Sequence, residues 1–296
     1  MVRRPGSYTL GPRSGGISRA ATGEGALNDG THRFRAPQRT AASPRWTPPA
    51  AASPLWTPPA PGAMLRWPAP HMAPRDRLLF RSLAGLAARQ VTSVVGLENI
   101  APANDPFILA PNHGTWREAV LVPSLLFVLR GGKLIHFIAD WNFRVVPGIG
   151  LIFRRAQVVT VVQKESRPKF LNVFRRFYEH PVPAMERARA HLFERRPIGI
   201  FPEGTVNRDP GRLLIGRVGM ARLSLETGVP VVPVGIRSPD APLDRPLAES
   251  ATMKIEIGAP MHPPAASGTP GAGDVRRWHG TVMREIARLS GKAWGR

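Results

Sequence analysis

The stretch "PFILAPNHGTWREAV", residues 106–120, decides how this chain is read. Its first half is an unbroken apolar run, the pattern of a strand buried on both faces. Its second half turns polar at Asn112 and His113, then offers Thr115 three residues before Glu118. That T-x-x-E string is a capping box and predicts a helix over 115–130. A strand that passes through a polar loop into a helix is half of a β–α–β unit.

The same alternation continues on both sides. Upstream, Leu79, Leu83 and Leu86 share one side of a helix beginning near Asp76, and Arg77, Arg81 and Arg89 mark another. Such a helix suits either a membrane interface or ordinary packing on a core. Downstream, strands are expected at 133–139, 156–162, 197–201, 229–236 and 252–258, and helices at 184–196, 215–228 and 274–291. Continuous β-branched strands separated by helices predict an α/β domain with a largely parallel sheet flanked by helices.

That domain is expected to occupy residues 75–296. Residues 1–74 are rich in Pro, Ala, Gly, Ser and Arg, and they contain a decamer twice, "AASPRWTPPA" at 41–50 and "AASPLWTPPA" at 51–60. Two proline-rich copies bury no shared core, so the expectation is a disordered low-complexity segment in which Trp46 and Trp56 reflect a duplication. Met64 and Met72 are candidate alternative starts.

Bulk composition narrows the function. The 296 residues contain no cysteine, which removes disulfides, thiolate nucleophiles and cysteine metal sites together. Lys and Arg total 41 against 20 Asp and Glu, and the formal charge of +21 predicts an acidic partner: anionic lipid, a phosphorylated substrate or nucleic acid. The apolar run Ala119–Leu129 is well short of the ~20 residues that cross a bilayer. The N-terminus lacks the apolar core of a signal peptide.

Two polar clusters follow predicted strands, where open α/β sheets gather their ligands. In the first, His113 and Glu118 are five apart and cannot share a helical face, so they meet only across the loop–helix junction. Glu118 is therefore either the partner of a catalytic base or only the closing residue of the capping box. The second cluster is "FPEGTVNRDPGR", 201–212, in which Glu203, Gly204, Thr205 and Arg208 leave a strand together. Arg208 offers a planar fork suited to phosphate, and Arg212, Arg217 and Lys164 can add to its field. A turn with an exposed salt bridge is the alternative. His136 sits inside an apolar strand as a core histidine would. His180, His191, His262 and His279 have no metal-ligand spacing, and neither a P-loop nor a G-x-S-x-G elbow occurs.

"NHGTWRE", then "FPEGTVNR" some ninety residues later, then "GVPVVPVGI", together resemble the glycerophospholipid acyltransferase family, which includes lysophosphatidic acid acyltransferases. The resemblance spans roughly Val95 to Arg237. It implies that His113 is a general base, that Glu118 orients it, and that Glu203, Gly204, Thr205 and Arg208 hold the acceptor's glycerol phosphate. It further implies transfer of a fatty acyl group from acyl-CoA or acyl carrier protein to a lysophospholipid, in first place 1-acylglycerol-3-phosphate, with no metal and no cofactor. Glycerol-3-phosphate or another lysolipid is the alternative acceptor. A catalytically weak protein that binds anionic lipid or nucleic acid is the alternative class. The expected partners are lysolipid, thioester donor and an anionic membrane surface, without nucleic acid, for a cytoplasmic protein lying on the inner face of the cell membrane.

Two departures stand out. The family's usual aspartate is Glu118 here, one methylene longer. The arginine of its second motif has no clear counterpart among Arg154, Arg155, Lys164 and Arg167. Residues 163–183 also form a longer and more basic stretch than the resemblance requires, and read as an insertion facing the membrane or the donor.

Overall fold

The structure, a computed structural model, describes residues 55–163, 165, 169–265 and 268–295. The strands are β1 (Leu55–Trp56), β2 (Val91–Val95), β3 (Ile108–Pro111), β4 (His136–Asp140), β5 (Val159–Val161), β6 (Ile198–Gly199), β7 (Val231–Arg237) and β8 (Met253–Ile257). The helices are α1 (Pro74–Ala87), α2 (Glu118–Leu129), α3 (Ile149–Arg155), α4 (Ala184–Phe193), α5 (Gly219–Thr227) and α6 (Ala272–Ser290).

One mixed sheet runs in the order β1-β2-β8-β7-β3-β6-β4-β5. Five of its seven pairings are parallel; β1–β2 and β7–β8 are antiparallel. The sheet is therefore largely parallel, as the continuous apolar strands predict. β3 is central: Ile108 pairs with Ile198 of β6 on one side and Val231 of β7 on the other. This register sets the polar ends of β3 and β6 side by side.

Helices cover both faces. Leu109 packs with Val232 and Val234 in a core that takes in α1 and α2. Ile108 and Ala110 point the other way, into a core built from α4, α5 and α6. The alternation along β3 is the period of two that a pleated strand imposes.

Four differences from the sequence expectations have identifiable causes. The folded region starts before residue 75: β1 lies on β2, and Trp56, Met64 and Met72 are buried. Leu55 and Trp56 come from the second copy of the decamer, so this copy contributes a core tryptophan. The expectation for residues 1–54, the first copy and Trp46 included, lies outside the described residues. In α1 the inner face is Phe80, Ala84 and Ala87, while Leu86 is 48% exposed. Phe80 meets Phe127 of α2 edge-on at 4.7 Å, and the two alanines let the helices approach, which turns the apolar stripe by one residue. The helix expected over 215–228 begins only at Gly219, because Gly216 takes φ +84°, outside helical space. Helix α3, in a stretch that carried no helical expectation, is entered through Gly148 at φ +81°. No helix among the described residues is long and apolar enough to cross a membrane.

Candidate active site

The site begins where β3 ends. Asn112 behaves as one more rung of the sheet: its Nδ2 donates to the Ile236 carbonyl at 2.9 Å, and its Oδ1 accepts from the Ile236 N–H at 2.6 Å. Both strands are thereby fixed up to the residue before His113. The backbone of His113 is then held from β6's side. Its N–H donates to Glu203 Oε1 at 2.9 Å, and its carbonyl accepts from the Asn207 N–H at 2.8 Å.

Glu203 is the centre of this junction. It is 5% exposed, and its second oxygen accepts from Asn207 Nδ2 at 2.8 Å and the Leu214 N–H at 2.9 Å. Three donors converge on one buried carboxylate, which joins the "NHG" loop to the "EGT" loop. The imidazole of His113 lies against Phe201 with centroids 4.5 Å apart, and Phe201 rests on Phe137 at 5.4 Å. Phe137 lies across β6 where a side chain at Gly199 would stand 2.6 Å from its ring. An alanine there would push the aromatic stack toward the histidine.

Glu118 ties the loop after His113 to the start of α2. Its N–H donates to Thr115 Oγ1 at 3.4 Å, and its carboxylate accepts from the Gly114 N–H at 2.6 Å. The helix itself starts at Glu118, three residues later than expected, with Arg117 at the N-cap position and no side-chain cap bond, so Thr115 and Glu118 brace the loop ahead of the helix and do not form the expected capping box. The carboxyl group is 2% exposed. Burial raises its pKa from 4.5 to about 7, against the lowering effect of the Gly114 and Thr115 backbone bonds and of Lys292.

Lys292 was not singled out by its sequence context, since a lone lysine after a helix carries no signal. It is 6% exposed and donates to the Asp209 carbonyl at 2.8 Å. Desolvation pulls its pKa down, opposed by Glu203, Glu118 and Asp209. A buried cation thus faces the buried carboxylates of both loops.

His113 opens onto a cavity of about 800 Å³, within the ~300–1,000 Å³ typical of small-molecule pockets. Its walls are mostly apolar and include Trp116, Pro123 and Phe127 from the α2 side, Phe137 from β4 and Ile152 and Phe153 from α3. Gly204, Thr205 and Arg217 line it together with His113. Gly204 has φ +68°, and a side chain there would stand 2.8 Å from Arg217 Nε, so glycine is needed both for the turn and for the guanidinium lying across it. Arg217 also donates to Gln163 Oε1 at 2.8 Å.

The other basic candidates are placed differently. Arg208 pairs with Glu249, whose other oxygen accepts from the Arg117 N–H at 3.3 Å; this is the salt-bridged alternative, and Arg208 is absent from the cavity wall. Arg155 pairs with Asp76 at 3.1 Å, Arg154 is exposed, and Lys164 and Arg167 lie outside the described residues. His136 is a core histidine: it is 4% exposed, stacks on His191 at 4.5 Å, and burial together with His191 lowers its pKa to about 4.

A polar loop pair at the carboxyl ends of neighbouring parallel strands, opening on an apolar cavity, defines an α/β enzyme site. Residues 91–237 match the family model described as Acyltransferase, and this region of the chain belongs to that family. A search of curated proteins finds no match. Among solved structures the chain is similar to the 1-acyl-sn-glycerophosphate (LPA) acyltransferase PlsC from Thermotoga maritima, at 22% identity and a TM-score of 0.49, over 75% of this chain and 83% of that one.

Proposed function

We propose that this acyltransferase moves a fatty acyl group from an acyl thioester, acyl-CoA or acyl carrier protein, to the free hydroxyl of a lysophospholipid. The acceptor we assign is 1-acylglycerol-3-phosphate, and the site of action is the inner face of the cell membrane, to which the protein binds peripherally. The observation that carries the reading is the cavity of about 800 Å³ shared by His113, a mostly apolar wall, and Arg217 over Gly204 beside Thr205.

In this reading His113 accepts the proton of the acceptor hydroxyl as its oxygen attacks the thioester carbonyl. The tetrahedral intermediate collapses by breaking the carbon–sulfur bond, and the imidazolium returns the proton to the departing thiolate. Ester and free thiol result, with no acyl-enzyme. Glu118 supports the loop that aims the imidazole and, when ionised, stabilises the imidazolium. Arg217, with the Gly204 and Thr205 turn, holds the phosphate of the acceptor. Glu203 shapes that turn and does not touch phosphate, because a carboxylate would repel it.

The test is thiol release by the full chain in detergent, with acyl-CoA and 1-acylglycerol-3-phosphate. We expect release that requires the acceptor and falls by ~10²–10⁴-fold in His113→Ala, the usual worth of a general base. Equal rates in wild type and His113→Ala would overturn the assignment. Glycerol-3-phosphate as a better acceptor would move the reading to the earlier acylation step.

A further inference from the structure

The segment 169–178 is a 3₁₀ turn with an unusual surface. Phe170 is 71% exposed, Val173 60%, Phe174 44% and Phe177 67%. Isolated exposed apolar residues need no explanation, but four within eight residues form a patch. Lys169, Arg175 and Arg176 lie among them, and no acid occurs between Lys169 and Tyr178. The guanidinium of Arg176 sits 5.1 Å from the Phe177 ring centroid, so charge and aromatic surface are presented together.

The turn is tied to the cavity. Arg175 and Tyr178 line it, and Tyr178 packs on Trp141 at 5.9 Å. Trp141 opens a second 3₁₀ turn, 141–145, whose Phe143 also lines the cavity and is 39% exposed; Leu151, on α3, is 43% exposed. Apolar surface therefore continues from the exposed phenylalanines toward the cavity.

We propose that residues 169–178 are a membrane-docking element. Phe170 and Phe177 enter the headgroup–acyl boundary of an anionic bilayer, Lys169 and Arg176 hold lipid phosphates, and the cavity is thereby presented to lipid. An anionic bilayer is the occupant because it alone offers apolar depth and negative charge on one surface, matching aromatics interleaved with bases. The inference rests on the reading that the acceptor is a membrane lipid, but it concerns a surface outside the reacting groups.

The experiment is co-sedimentation of the full chain with vesicles of phosphatidylglycerol and phosphatidylcholine in equal parts, or of phosphatidylcholine alone. The variants are Phe170→Ser/Phe177→Ser and Arg176→Glu. Both sites are exposed, and the far-ultraviolet circular dichroism and melting curve are expected to match wild type. We expect wild type to bind the anionic vesicles and each variant to bind them roughly tenfold more weakly or worse. With donor and a lysolipid below its micelle concentration, turnover is expected to be unchanged. Wild-type binding by the double variant, or no preference for the anionic vesicles, would overturn the docking role. Vesicle binding is read without turnover, so loss of binding in the variants supports docking even if thiol release fails, and thiol release accompanied by wild-type vesicle binding of the variants removes docking alone.

Discussion

The N–H of His113 donates to Oε1 of Glu203, ninety residues away, at 2.9 Å. One hydrogen bond thus joins the candidate base to the loop assigned to the acceptor. Glu203→Ala would leave this N–H, the Leu214 N–H and one of the two Asn207 Nδ2 hydrogens without their acceptor, the other still bonding to the Arg212 carbonyl. Each unsatisfied buried donor costs ~1–3 kcal/mol, so we expect a loss of about 3 kcal/mol or more in urea unfolding, with acyl transfer down at least as far as in His113→Ala. Unchanged stability would show that water replaces the carboxylate without cost.

Glu118 makes stability depend on pH. Its folded pKa of about 7 lies above its ordinary 4.5, so the folded state holds the proton more tightly than the unfolded one. The associated stability is complete below pH ~4.5 and is lost as pH rises through ~7, a fall of about 3 kcal/mol. Glu118→Gln is expected to remove that fall and to be more stable than wild type at pH 8. Denaturant midpoints from pH 4.5 to 8 measure it. Under the proposed mechanism activity is expected to run the opposite way, because only an ionised Glu118 would stabilise an imidazolium, and turnover should drop below pH ~7.

Arg217 and Arg208 are predicted to separate kinetically. Arg217 lies over the turn in the cavity wall, whereas Arg208 is engaged with Glu249. Arg217→Gln is expected to raise KM for the phosphate-bearing acceptor ~10–100-fold, as loss of a charge-assisted hydrogen bond would, with a smaller change in kcat. Arg208→Gln is expected to change KM less than threefold. Steady-state kinetics against acceptor concentration decides between them.

A chain starting at Met72 is expected to be poorly stable. It lacks β1, Trp56 and Met64, which are 2% exposed each and belong to the main core. Losing a buried tryptophan alone costs ~3–5 kcal/mol. A chain starting at Pro44 keeps all of them, and thermal melts of the two should differ by several degrees or more.

The central architecture was legible because β3, β6 and β7 lie in continuous apolar runs, α4 and α6 keep helical periodicity, and α2 is an apolar run announced by the T-x-x-E string before it. Burial on both faces leaves that signature in the sequence. The entry at Trp56 was hidden because two residues of strand in a proline-rich decamer carry no period. α3 was hidden because "GIGLIFRR" is short and rich in glycine and β-branched residues, so its helix owes more to packing than to propensity. In the site, spacing singled out His113, Glu118 and Glu203, but it did not tell a phosphate ligand from a buried acceptor of three N–H bonds. Arg217 was named among the bases near the second cluster without being placed, and Lys292 reaches the site by long-range packing, which nothing local announces.

The amide of Asn112 closes on Ile236 across 124 residues of chain. During synthesis at ~5–20 residues per second, on the order of ten seconds separate the appearance of the two partners. Only late in that interval, after residue 212, does the nascent chain carry both candidate motifs, and the strand that fixes the histidine's approach is then still to be made. A ribosome-bound chain therefore displays the candidate residues without their geometry, which is complete only once β7 has been made.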